Sequence, residues 1–139
     1  MEKAFEVISH TADIGIIAYG DDIKQVFVNA ARGLISIIVD PEEVDGSQER
    51  IIEVSAPDCE ALLVNWLNEL VYIIDAEDLL FKSFEIMEVS DTRLKARAWG
   101  EKIDLAKHRI KIQVKAATYH SLKVEETTEG WQAQVIFDV

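Results

Sequence analysis

The sequence predicts an α+β domain, a largely antiparallel sheet with two helices packed on one face. Three observations point there. Two segments carry apolar residues at helical spacing, the remaining apolar runs are short and bounded by turn residues, and the resulting order is β-β-α-β-α-β-β-β-β. Two short β-rich runs, residues 4–9 and 14–19, open the chain, and Gly20 ends the second. Asp21-Asp22 then supply an N-cap and first turn for a helix whose face is Ile23, Val26, Phe27, Ala30, Leu34, Ile37 and Ile38. Asp40-Pro41 stops it. Residues 51–56 read as a strand, and Pro57-Asp58 begin a second helix through about Ile74. Its apolar residues, Leu62, Leu63, Trp66, Leu67, Leu70, Val71 and Ile74, cover most of its girth, which predicts a central position. The rest is expected as strand over 81–89, 93–99, 110–124 and 131–137, with turn signals at Ser90-Asp91, Gly100-Glu101 and Glu129-Gly130.

A chain of 139 residues with 49% hydrophobic and 29% charged content is expected to fold as one domain spanning residues 1–139. It shows no repeat and no Pro/Gly/Ser linker, and no apolar run approaches the ~18 residues of a membrane span. MEKAFEVISH lacks a basic flank before an apolar stretch, so no secretory signal is read. The single Cys59 excludes an internal disulfide, and the expected compartment is the reducing cytoplasm.

Charge narrows the function classes. Fourteen Lys and Arg against 26 Asp and Glu leave −12, a surface that repels phosphate backbones and disfavours autonomous nucleic-acid binding. The charge is uneven: residues 1–78 hold 17 acids and 4 bases, while residues 79–139 are nearly balanced. Between Arg93 and Lys115 lie eight bases and two acids, Glu101 and Asp104. If residues 93–99 pair with the strand expected from residue 110, Arg93, Lys95 and Arg97 would form a stripe with Lys107, Arg109, Lys111 and Lys115. That stripe is either a solvated face or a docking surface for an acidic partner or an RNA backbone.

Few segments carry chemistry. His10-Thr11-Ala12-Asp13-Ile14-Gly15 joins the first two strands, and His10 and Asp13 share a site only if the stretch turns. Its carboxylate either caps neighbouring amides in an Asx turn or binds a cation. At the other end, Asp138 lies beside the α-carboxylate of Val139, and two carboxylates so close repel unless donors or a cation collect them. Oxygen ligands alone would favour a hard ion, Ca²⁺ or Mg²⁺, against the alternative of a frayed end. His10, His108 and His120 match no zinc spacing, and His120 is expected as a hydrogen-bonded core residue. Asp58 and Glu60 beside Cys59 raise rather than lower a thiol pKa, which argues against a nucleophile. No G-x-S-x-G, G-x-G-x-x-G or P-loop pattern occurs.

Several segments taken in order carry a resemblance. They are Phe5 to His10 with HTAD, Ala18-Tyr19-Gly20, Leu62-Leu63-Val64-Asn65-Trp66-Leu67-Asn68-Glu69, Trp99-Gly100-Glu101, Asp104, His108, Lys115-Ala116-Ala117-Thr118-Tyr119-His120 and Asp138-Val139. Over essentially its whole length the chain resembles the archeases. The resemblance implies an elaborated strand-helix-strand-strand fold. It also implies a non-catalytic activator of the GTP-dependent RNA-splicing ligase, which promotes ligase guanylylation and multiple turnover in tRNA splicing and RNA repair. The implied divalent-metal site, typically Ca²⁺, carries over to Asp13, Asp138 and Val139, and it raises the cation reading of both segments above the bland one. tRNA would be met only through the partner, and no membrane is involved. A second role linked to the family is that of chaperone or specificity modulator for a tRNA methyltransferase. A metal-dependent hydrolase built on His10, Asp13 and Asp138 ranks last, because no nucleophile–base pair accompanies it.

Overall fold

Two aspartates set where the helices begin. In the computed structural model, which describes residues 3–9 and 13–139, Asp22 accepts the Gln25 N–H at 2.8 Å and starts α1 (Ile23–Ile38). Asp58 accepts the Ala61 N–H at 2.8 Å and starts α2 (Cys59–Glu77). Both are N-caps that satisfy amides with no partner inside the helix. A 3₁₀ turn at Pro41–Glu43 follows α1, and α2 ends at Asp78, which takes a left-handed conformation (φ 53°).

The strands are β1 (Phe5–Ser9), β2 (Ile14–Gly20), β3 (Gln48–Ser55), β4 (Leu79–Val89), β5 (Arg93–Lys102), β6 (Ala116–Ala117), β7 (Lys123–Thr127) and β8 (Gly130–Asp138). They divide into two antiparallel sheets. One runs β1-β2-β8-β6 with β7 also paired to β8, and the other is β3-β5-β4. The α+β class with antiparallel pairing is as expected, but the helices lie between two sheets rather than on one face of a single sheet. α1 packs on β1, β2 and β8 and also on β4, while α2 touches β3, β4 and β5 as well as β6 and β7. This position accounts for the girth of buried apolar residues on α2. Trp66 is fully buried, meets Phe84 edge-on at 5.9 Å and donates its indole N–H to the Phe27 carbonyl of α1 at 3.0 Å.

One expected element is not a strand. Residues 110–115 are irregular, β6 is two residues long, and β7 starts only at Lys123. The alternation that suggested a strand survives only in part: Val114 is buried and Ile112 half-buried among exposed Lys111, Gln113 and Lys115, but Ile110 is exposed. No ladder forms over residues 110–114, however: the Lys111 N–H bonds to the Ile38 carbonyl of α1, and only at Lys115 does the chain reach β8, through the Asp138 carbonyl. Between β6 and β7 the register against β8 shifts, and Ser121 takes a left-handed φ of 53°. His120 lies on this excursion and is exposed, not in the core as expected.

Candidate functional site

The candidate carboxylates meet through strand register. β2 pairs with β8 so that Ile14 faces Phe137 and Gly15 faces Ile136. Asp13, one residue before Ile14, and Asp138, one residue after Phe137, therefore stand at the same end of adjacent strands. Phe137 is fully buried and fixes that end of β8. A β-carbon on Gly15 would lie 2.6 Å from the Val135 carbonyl oxygen, so Gly15 permits the close approach of β8 within the strand rather than a turn before it. His10, Thr11 and Ala12 lie outside the described residues, and with them any joint role of His10 and Asp13.

On its other side β8 is held by β6, with Ala116 opposite Asp138 and Ala117 opposite Phe137. The Lys115 N–H donates to the Asp138 carbonyl at 2.8 Å, and Thr118 donates through both its N–H and its hydroxyl to the Ile136 carbonyl. The outer edge of β6 faces α2, where Asn68 plays the part of a missing strand. Its Oδ1 accepts the Ala117 N–H at 2.7 Å, and its Nδ2 donates to the Ala117 carbonyl at 3.2 Å. A polar residue inside the most apolar stretch of α2 was the one sign in the sequence that such a clamp existed. Asn68→Ala strands a buried amide and should cost about 1–2 kcal/mol in urea denaturation; an unchanged midpoint would show that the clamp carries no stability.

Asp13 is half-buried, whereas Asp138 and Val139 are exposed. Among the described residues neither aspartate joins an ion pair, and no group of three or more His, Cys, Asp or Glu side chains gathers in metal-holding range. The candidate trio has two such side chains and adds the Val139 carboxylate. Its donors are all carboxylate oxygens at one strand end, a set whose chemistry fits a hard divalent ion.

A second polar cluster fastens the segment leading to Lys115. The His108 side chain is completely buried. Its Nδ1 accepts the Asp104 N–H at 2.9 Å, which puts the ring proton on Nε2, 2.9 Å from Glu101 Oε2. Lys107 Nζ bonds to Glu101 at 2.7 Å and to Asp45 at 2.9 Å, and the Asp45 N–H donates to Glu101 at 2.7 Å. These bonds, led by that from Lys107, hold the Glu101 carboxyl down at about 2. Because the folded value lies below the ordinary 4.5, the linked stabilisation is complete above that value and is lost as pH falls through 4.5 toward about 2. The melting-temperature advantage of wild type over Glu101→Gln should therefore be present at neutral pH and vanish over that window; an advantage that persisted below it would assign the effect to packing.

The basic stripe does not form. Lys107, Arg109, Lys111 and Lys115 lie on irregular chain rather than on a strand beside β5. On β5 itself, Lys95 stands between Glu53 and Glu88, and Arg97 between Ile51 and Glu85. Arg97 also lies 3.8 Å from Glu49 and 6.0 Å from the Trp99 ring centre. The outer face of the β3-β5-β4 sheet is thus charge-mixed. The Cys59 thiol is pushed up by burial first and then by Asp91, Glu60 and Asp58, which makes it a poor nucleophile.

Comparison with known proteins bears on the whole chain. Residues 5–139 match the model of the Archease protein family (MTH1598/TM1083). The chain belongs to the archease family. It is 40% identical to the archease of Methanosarcina mazei over 99% of this chain and 97% of that one, and 43% identical to that of Pyrococcus abyssi over 99% of each. The solution structure of protein 1598 of Methanobacterium thermoautotrophicum superposes with a TM-score of 0.82 at 36% identity, covering 98% of this chain and 99% of that one. An archease of Thermotoga maritima, described as a possible chaperone, shares the fold at a TM-score of 0.69 and 22% identity, covering 100% of this chain and 98% of that one. In this archease Glu101, Asp104 and His108 take part in that second polar cluster, a latch on the chain after β5, and Asn68 and Ala117 form the clamp beside the strand end that carries Asp138. No described helix is long and apolar enough to cross a membrane.

Proposed function

We propose that this archease is a non-catalytic activator of the GTP-dependent RNA-splicing ligase, promoting ligase guanylylation and multiple turnover through a divalent-ion site at Asp13, Asp138 and Val139. The observation that carries the reading is the β2–β8 register, which sets Asp13 and Asp138 at one end of neighbouring strands in a chain of the archease family. The three carboxylates would hold the ion: their all-oxygen chemistry suits a hard divalent cation, and the family resemblance implies Ca²⁺. When bound, the ion supplies positive charge and offsets the repulsion among them. Guanylylation brings a triphosphate and metal ions together in the ligase site. A strand end bearing carboxylates, held through β6 by the Asn68 clamp, is suited to bias that site toward its reactive arrangement. The expected setting is the cytoplasm, with tRNA met only through the ligase. The test is multiple-turnover ligation of a cyclic-phosphate RNA by the cognate ligase with GTP, with and without this protein.

A second reading is chaperoning or tuning of a tRNA methyltransferase. It is favoured by the description of the Thermotoga archease as a possible chaperone. It predicts a benefit to methyltransferase solubility or specificity that survives loss of the carboxylates, and no effect on ligation.

A further inference from the structure

The last turns of α2, the end of α1 and the irregular chain from residue 103 to 114 enclose a cleft of about 400 Å³, whose lining includes none of Asp13, Asp138 and Val139. That is within the ~300–1,000 Å³ range of ligand pockets. Its walls include Ile38, Val71, Ile103 and Val114, and Asp75 and Asp78 stand on it as exposed carboxylates. Among the described residues neither aspartate joins an ion pair, and no Lys or Arg lines the cleft. Of the nearby cations, Arg50 pairs with Glu77 and Lys102 Nζ donates to the Glu77 carbonyl at 2.8 Å, while Arg109 and Lys111 flank Ile110 in sequence without lining the cleft. An apolar wall beneath two unpaired negative charges is complementary to a cation carried on an alkyl stem. The rim carries exposed apolar groups: Ile110 of the lining is 37% exposed, and Tyr72, three residues before Asp75 on α2 and so its neighbour on the helix surface, is 62% exposed. A small free amine would leave that rim uncovered, whereas a protein surface would cover it.

We propose that this cleft is a docking pocket for a partner protein that inserts a lysine or arginine side chain, its stem against the apolar walls and its charged head at Asp75 and Asp78. The pocket shares no lining residue with Asp13, Asp138 and Val139, and the proposal goes beyond the activator reading.

The test uses the full chain with labelled methyl groups and three probes followed by NMR: acetyl-Leu-Lys-Leu-amide, its norleucine counterpart, and 1,5-diaminopentane. The lysine peptide should shift the Val71, Ile103 and Val114 methyls. The norleucine peptide should bind about tenfold more weakly, and Asp75→Asn/Asp78→Asn should weaken the lysine peptide by a similar factor. Asparagine preserves the shape and tolerates the left-handed backbone at residue 78. A control of equal charge change, Glu42→Gln/Glu126→Gln, should leave binding unaltered. The proposal is overturned by an absence of shifts at those methyls, by equal binding of the norleucine peptide, or by equal losses in the control. Diaminopentane binding more than about tenfold tighter than the peptide would also overturn it, assigning the cleft to a free diamine.

Discussion

Gly100→Ala is expected to lower the melting temperature by about 10 °C, a loss of about 3 kcal/mol. Gly100 is buried at the middle of the three-stranded sheet, paired with Phe81 of β4 and Gln48 of β3. A β-carbon there would lie 1.9 Å from the Leu80 carbonyl oxygen, 2.8 Å from the Leu80 carbonyl carbon and 2.9 Å from the Phe81 Cα. All three contacts are backbone, so no rotamer change relieves them. The β4 strand bulges between Phe81 and Ser83, which sets its backbone against β5 at this point. The damage would spread, because Gly100 immediately precedes Glu101 and thus the latch that seats residues 102–115. Gly46→Ala serves as a comparison: its added carbon would meet only the Trp99 Cβ at 3.3 Å, at an exposed position. Thermal denaturation of the two variants decides the matter. A drop below about 3 °C for Gly100→Ala would mean that the β4 bulge absorbs the clash.

Asp138→Ala and Asp13→Asn should each weaken Ca²⁺ binding by about 100-fold or more, since loss of even an outer-shell partner typically costs ~10–100-fold. Without the ion the three carboxylates repel one another. Both variants should therefore be at least as stable as wild type in chelator. Wild type alone should gain stability when Ca²⁺ is added, because an ion that binds only the folded chain stabilises it by mass action. This pattern, no cost without calcium and a lost gain with it, separates ligand loss from structural damage. Calorimetric titration and melting with and without Ca²⁺ read both halves. Equal calcium affinity in all three proteins would remove the site.

The helices were legible because their information is local. Apolar residues recur at every turn of each helix, and each capping aspartate, Asp22 or Asp58, directly precedes the helix it starts. Pairing is not local. Nothing in the sequence says that the outer face of β5 meets glutamates from both sides, and so the run of bases from Arg93 read as a stripe when Glu49, Glu53, Glu85 and Glu88 break it up. The alternation from Ile112 to Lys115 persisted without a strand because burial on one side needs only a wall, here the ends of the helices, whereas a strand also needs a partner for its amides. His120 is exposed for the same reason, since its inward parity presumed a continuous strand through Ser121, and the buried histidine is His108, to which spacing assigned no place. The proximity of Asp13 and Asp138 is a consequence of β2–β8 register between opposite ends of the chain. Only the family resemblance suggested it beforehand, and spacing alone left each carboxylate with a bland alternative.

The central claim is that the strand end bearing Asp13, Asp138 and Val139 acts on the ligase. Multiple-turnover ligation by the cognate ligase, with GTP, Ca²⁺ and a cyclic-phosphate RNA, should be compared with no addition, with wild type and with Asp138→Ala. The account predicts stimulation by wild type and its loss in the variant, with the variant still folded. Full stimulation by Asp138→Ala, or none by wild type, would contradict it.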